Sequence, residues 1–383
     1  MKKNILYICT PDSIHDQKWM RYFADKKNEF AVFAIGETQN HKSETRQQLL
    51  ADNITLLDSI ETFSISHPID TLTSIVRLNK IIKEYNIHVV HVLFAAPYAL
   101  WINFITIPSI ITTRGSDILV VIPELLSHAG LKGLYFKLLF NLFKRSFKKA
   151  KYITCTSSKQ IEKVNELFQV NNSVLIKTGV EVEAIDKIDK PELLNKALKN
   201  KSYVFSPRFM SPIYNIHYQI EALALLDKSI IEKYVFVFTK GKLFDAHYYK
   251  KQLESLALLK DSIKLNFLVL DYLDQESLWM HLKNAALVLM TPISDGTPNS
   301  ALETMAAKTP LIISDLPLYD VDLFGNACIY VPLNKAHKLA NEITMAINQY
   351  PPNLIQTAYN NVILLGNRNI EMNKLANLYQ TIK

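Results

Sequence analysis

Short β-branched or aromatic runs alternate with longer amphipathic stretches along almost the whole chain, and that alternation admits few folds. A strand, a helix and a second strand make a right-handed crossover, so repeated units line their strands up in a parallel sheet with helices on both faces. Two sets of strand-like runs can be separated. The first lies at residues 5–9, 30–35, 88–93, 110–113, 152–155 and 174–176, with helical stretches at 72–85 and 131–151. The second lies at 203–206, 235–238, 263–268, 287–290, 311–313 and 329–331, with helical stretches at 218–226 and 278–284. Between them, residues 181–201 are rich in Lys, Asp, Glu and Asn and read as a linker. The expected organisation is a first α/β domain at 1–180, a second at 202–365 and a closing segment at 366–383 with a helix at 372–382. A length of 383 residues suits two such domains.

A hydrophobic content of 49% with 21% charged residues is that of a globular chain, and no run of about 18 uncharged apolar residues marks a membrane span. The apolar run after Lys2 and Lys3 is short and is followed by Asp12, so it reads as a first strand and not as a signal peptide. Cys9, Cys155 and Cys328 are far apart and flanked by apolar residues, which points to buried thiols in a reducing compartment, the cytoplasm by default. The net charge of +7 comes without a nucleic-acid-binding motif, so no nucleic acid partner is expected. Glycine is scarce, nine in all, and Gly115, Gly179, Gly241 and Gly296 each follow a strand-like run, the end at which open α/β sheets bind ligands.

Residues 291–313 carry the densest functional signal. They read as strand end, tight turn, helix start and next strand in one run. Asp295, Gly296, Thr297 and Pro298 supply the turn chemistry, and Pro298, Asn299 and Ser300 lead into a helix expected at 301–307. Free amides and the positive dipole end at such a start suit an anion. Asp295 and Glu303, with seven residues between them, place one carboxylate in the turn and one about a helical turn inside, where it can accept hydrogen bonds from paired hydroxyls. Phosphate on amides and sugar hydroxyls on carboxylates suggest a nucleotide sugar. On the residues alone, a carboxylate that merely caps the helix is the alternative.

This segment resembles the acid-x7-acid signature of retaining GT-B glycosyltransferases, glycosyltransferase family 4 (glycosyl transferases group 1) in particular. Gly296, Pro298, Asn299, Ser300, Glu303, Met305 and Ala306 fall where that family has them, whereas Asp295 stands in place of glutamate and Lys308 in place of glycine. The resemblance implies two Rossmann-like domains facing each other across a cleft, the closing helix packed on the first domain, and a nucleotide-diphosphate sugar held by the second. In the family the second acid, here Glu303, contacts the ribose and the first, here Asp295, the donor sugar. An arginine and a lysine five residues later neutralise the diphosphate; Arg208 matches the arginine and Ile213 stands at the lysine position. Lys240 and Lys242, around Gly241, are substitutes for it or simply solvated lysines.

For the first domain the resemblance implies an acceptor side built from residues 112–117, where Arg114 precedes Gly115 in place of a common histidine. Asp117 is a candidate base or a helix cap. His91 is an acceptor-side candidate or a core histidine, and His15 with Asp16 stands where the family has a glycine-rich loop. No metal or cofactor is expected: Asp320-Val321-Asp322 falls in a loop, and His88 and His91 point to opposite faces of a strand. The implied reaction is transfer of a sugar, with retention, to a glycan or lipid-linked acceptor. A nucleotide-sugar epimerase and a catalytically impaired nucleotide-sugar-binding protein are the rivals. Residues 131–151 hold seven basic residues and no acid among Leu, Phe and Tyr, and read as a helix for an anionic membrane surface or as ordinary core packing. The location implied is cytoplasmic, peripheral on the inner face of the membrane.

Overall fold

In the computed structural model, which describes residues 2–37, 43–115, 117–242, 244–317 and 319–382, the chain forms two compact units. One comprises Met1–Thr178 with Glu371–Lys383, the other Gly179–Ile370.

The first unit is built on a parallel sheet of β1 (Lys3–Ile8), β2 (Phe30–Ile35), β3 (Ile54–Leu56), β4 (Val89–Leu93), β5 (Ser109–Thr112), β6 (Tyr152–Cys155) and β7 (Ser173–Leu175). Their order is β3-β2-β1-β4-β5-β6-β7, so chain direction across the sheet reverses between β1 and β4. Loops diverge there above the C-terminal strand ends. The three-residue β3 was not expected, because Ile-Thr-Leu is too short to show a period. On one face the helices Pro68–Glu84, Gly130–Lys149 and Ser158–Phe168 enclose a core that includes Leu78, Phe143, Phe147, Val164 and Phe168. On the other, helix Ile14–Asp25 and the last helix, Arg368–Thr381, bury Trp19, Phe23, Met372, Leu375 and Tyr379.

The second unit carries β8 (Tyr203–Phe209), β9 (Val235–Thr239), β10 (Phe267–Leu270), β11 (Leu287–Met290), β12 (Leu311–Ser314) and β13 (Ile329–Val331), in the order β10-β9-β8-β11-β12-β13. The strand expected at 263–268 starts later: helix Ala246–Ile263 runs through Ile263, and Lys264 turns out of it at φ +60°. Residues 181–201, expected as a linker, are packed into this unit, with Val182, Ile185, Ile188 and Leu198 in its core. The apolar residues recur every three positions among charges, so composition hid a short amphipathic helix, Val182–Lys187. Gly179 sits at φ +69°, and a Cβ there would lie 2.6 Å from Arg368 Cα. Only glycine fits that crossing. Among the described residues no helix is long and apolar enough to cross a membrane.

Candidate functional site

In the second unit β8 and β11 are parallel neighbours, so their C-terminal ends deliver two loops side by side. The C-terminal end of β8 carries Arg208, and the turn after β11 carries Asp295. Arg208 donates from Nη1 to Ser300 Oγ at 3.0 Å, and its Nη2 faces Asp295 Oδ2 at 3.1 Å. Its guanidinium lies 4.0 Å from the centre of the Tyr214 ring. Tyr214 in turn meets Phe209 edge-on at 4.7 Å, and Phe209 packs so tightly on Gly241 that a Cβ there would fall 2.3 Å from Phe209 Cβ. Gly241, at φ +76°, thus seats the aromatic pair beneath the arginine.

Asp295 accepts the N–H of Gly296 at 2.9 Å. Burial pushes its carboxyl pKa up, with Arg208 and the Gly296 N–H pulling it back. Asp295 Oδ2 and Arg208 Nε are both buried without a hydrogen-bond partner, as are Tyr319 Oη and Ser206 Oγ. Buried polar atoms are ordinarily paired, so this strand edge keeps hydrogen-bonding capacity in reserve. Helix Asn299–Ala306 follows Pro298, and the amides of Ala301 and Leu302 donate to Pro298 O. The amides of Asn299 and Ser300 therefore precede the first helical bonds. Glu303, 4% exposed, accepts the indole N–H of Trp279 at 3.3 Å. Thr297 and Pro298 complete the turn between the two carboxylates.

Ile213 is 41% exposed, and its carbonyl accepts the amide of Ile293 at 2.9 Å, which stitches the two loops together. Both nearby lysines rest on aromatic rings. Lys240 lies over the rings of Phe244 and Tyr249 and 3.9 Å from Asp271, and Lys242 lies over Tyr272. Tyr214 and Trp279 were not anticipated. Nothing in their local sequence separates them from ordinary core aromatics, because each acquires its role through a neighbour distant along the chain.

The first unit's candidates divide between the C-terminal sheet edge and the core. Arg114, after β5, pairs with Asp16 of helix Ile14–Asp25. Asp16 also accepts the Thr10 N–H at 2.7 Å, and burial raises its pKa against the pull of Arg114. Thr10 shares a hydrogen bond of 2.8 Å with Tyr98, whose phenol burial pushes up to about 12. Gly115 adopts φ +97°, and Ser116 lies outside the described residues. His15 is exposed beside Asp16.

Two expectations are corrected. Asp117, expected as a base or a helix cap, is fully buried and accepts the amides of Ala95, Arg114 and Ile118 at 2.9–3.0 Å. It ties the loop after β4 to the loop after β5. His91 is fully buried, with Nε2 2.6 Å from Thr112 Oγ1 and Nδ1 against Tyr379 Oη. Burial, helped by Arg114, pushes its pKa down to about 3, so it is a neutral core residue. Asp320 caps the short helix Val321–Phe324 by accepting the amides of Asp322 and Leu323. Among the described residues no group of three or more His, Cys, Asp or Glu could hold a metal ion. All three cysteines are buried and unpaired.

Known proteins share this fold. A family model described as glycosyl transferase 4-like matches residues 4–157, and one described as glycosyl transferases group 1 matches residues 186–361. A glycosyltransferase from Rickettsia africae has a similar structure, with TM-score 0.77 and 16% identity over 100% of this chain and 98% of its own. HepE of Anabaena, solved with UDP and glucose, gives TM-score 0.75 at 14% identity, covering 99% of this chain and all of HepE. A sucrose-phosphate synthase from Thermosynechococcus elongatus gives 0.72 at 14% identity over 99% and 98%. No curated protein matches in sequence. With one family model matching most of the first parallel sheet and the other all of the second, and with structural neighbours that span the whole chain, the protein belongs to the GT-B glycosyltransferases of group 1.

Proposed function

We propose that the protein moves a sugar from a nucleotide-diphosphate donor to a glycan or lipid-linked acceptor with retention at the anomeric carbon, in the synthesis of a surface polysaccharide or glycoconjugate. The observation that carries this reading is the fixing of Arg208 by three partners, Ser300, Asp295 and the Tyr214 ring, beside the start of helix Asn299–Ala306. A cation and free amides held in advance stabilise the charge that grows on a departing diphosphate. The reading assigns Glu303 to the ribose, Asp295 to the donor sugar, and the proton of the acceptor hydroxyl to the leaving phosphate. No metal is needed in this scheme, because the guanidinium and the amides supply the positive field. The donor belongs to the second unit and the acceptor to the Arg114 edge of the first. The enzyme works in the cytoplasm, on the inner face of the membrane.

A panel of nucleotide sugars, led by UDP-glucose because HepE is known with it, tests this through nucleotide release with and without acceptor glycan. Acceptor-dependent release is the expected result. Release without acceptor would indicate an epimerase, and binding without any release would indicate a protein that holds the donor and does not turn it over.

A further inference from the structure

Helix Ile216–Leu223 follows β8 and helix Ala246–Ile263 follows β9, and both pack on one face of the second sheet, where Ile216, Leu223 and Leu256 join the core. Their first turns are tied together. Asp245 caps the longer helix by accepting the Tyr248 amide at 2.7 Å, and the Tyr248 hydroxyl accepts the His217 amide at 2.9 Å. Between the two helices lies a cavity of about 450 Å³, a size in the range of small-molecule sites. Each flank gives it one stripe, at i, i+3, i+4 and i+7 from His217 and from Tyr248. The stripes end in Ala224 and Ser255, side chains too small to fill the gap between close-packed helices. Arg208, Asp295 and Glu303 are not among the lining residues, so this cavity is separate from the site already described.

The side chains around it select the chemistry of an occupant. Gln252 is 2% exposed and lines the cavity, yet its side-chain amide has no hydrogen-bond partner among the described residues. Buried amides are ordinarily paired, and leaving one unpaired costs stability. Glu221 and Lys251 stand on opposite flanks, both exposed, and neither is in an ion pair among the described residues. An anion would meet the carboxylate, and a cation the ammonium. A hydroxyl both donates and accepts, so a row of hydroxyls can use the carboxylate, the ammonium and both halves of the amide at once. Ile220, Leu258 and Leu259 give the same cavity an apolar wall, with Leu258 70% exposed. That wall suits the C–H face of a sugar ring.

We propose that this cavity is a second saccharide site, which holds a neutral stretch of glycan by its hydroxyls on Glu221, Lys251 and Gln252 and by a ring face on Leu258. The inference rests on the reading of a glycan as acceptor or product, since it gives the enzyme a hold on the chain apart from its reacting end. Methyl NMR of the full chain reads the site through Ile220, Leu258 and Leu259. Titration with maltotriose, cellotriose and mannotriose should bring saturable shifts of these methyls with at least one of the three. Trigalacturonate, with a carboxylate on each ring, the glucosamine trimer, with an ammonium on each ring, and leucine, a zwitterion, should bring none. Gln252→Leu removes the amide at nearly constant volume and should bind the trisaccharide about tenfold more weakly. It should also unfold at or above the wild-type Tm, because the group it removes has no partner, whereas a structural role would lower Tm. The double variant Glu221→Ala, Lys251→Ala tests the same hold from exposed positions and should also weaken binding. The proposal fails if no neutral trisaccharide moves these methyls, if binding is unchanged in both variants, or if only leucine or a charged trimer binds. Shifts without any donor turnover would sink the transferase reading and leave this site, and turnover without shifts would do the reverse.

Discussion

Trp279 donates its indole N–H to Glu303 at 3.3 Å, so one oxygen of this buried carboxylate is oriented from within the second unit. The proposed function assigns this carboxylate to the ribose. Glu303→Gln should weaken nucleotide-sugar binding by about 1–3 kcal/mol, the cost of leaving hydroxyls without a charged acceptor. Trp279→Phe keeps the charge and releases its orientation, and should weaken binding less. Calorimetry with the donor reads both, and unchanged affinity in Glu303→Gln would remove the ribose role.

Asp295 sits 3.1 Å from Arg208 and sheds part of that cation's field. Asp295→Asn should leave free-nucleotide binding intact and lower turnover, since the carboxylate is assigned to the sugar. A variant that loses nucleotide and nucleotide sugar equally would place Asp295 on the phosphate side.

Transfer should survive chelation with EDTA, because Arg208 and the amides before Ala301 supply the positive charge. Arg208→Ala should lose far more in kcat than in donor affinity, as the charge it meets is largest in the transition state. Tyr214→Leu should follow in the same direction with a smaller effect, since the ring fixes the guanidinium without touching phosphate. Activity abolished by EDTA and restored by magnesium would refute the scheme.

The pKa of His91 falls from 6.5 to about 3 on burial, so the folded protein binds fewer protons than the unfolded chain between those values. A depressed folded pKa contributes stability that is present above pH 6.5 and is lost as pH falls toward 3. The whole window is worth on the order of 5 kcal/mol. His91→Gln should cost stability at pH 7 through the Thr112 and Tyr379 contacts, and the gap in Tm from wild type should narrow by pH 4.5. A constant gap would show that His91 does not titrate on unfolding.

The two-unit α/β plan was legible because each strand and crossover helix is local, and the strand-turn-helix at 291–313 because its parts are contiguous. What stayed hidden depends on distance across a sheet. Asp117 at a strand end reads alike whether it faces solvent or accepts three amides, and only burial separates a base from a lock. His91 reads as an acceptor-side residue or a core histidine, and its contact with Tyr379, far along the chain, separates the two. Residues 181–201 have the composition of a solvated tether, yet their few apolar side chains are spaced to cover the second unit's core. The missing family lysine at Ile213 was plain from sequence, whereas the aromatic bracket of Phe209 and Tyr214 under Arg208 was not.

Tyr7 and Tyr379 share a buried hydrogen bond of 2.8 Å although 372 positions separate them. A ribosome releases Tyr7 and His91 before the second unit and Tyr379 only after it. Until then those two polar groups face an uncovered side of their sheet. The first unit is therefore completed only after the second, and a stop codon placed just before helix Arg368–Thr381 would leave its damage in strands made long before it.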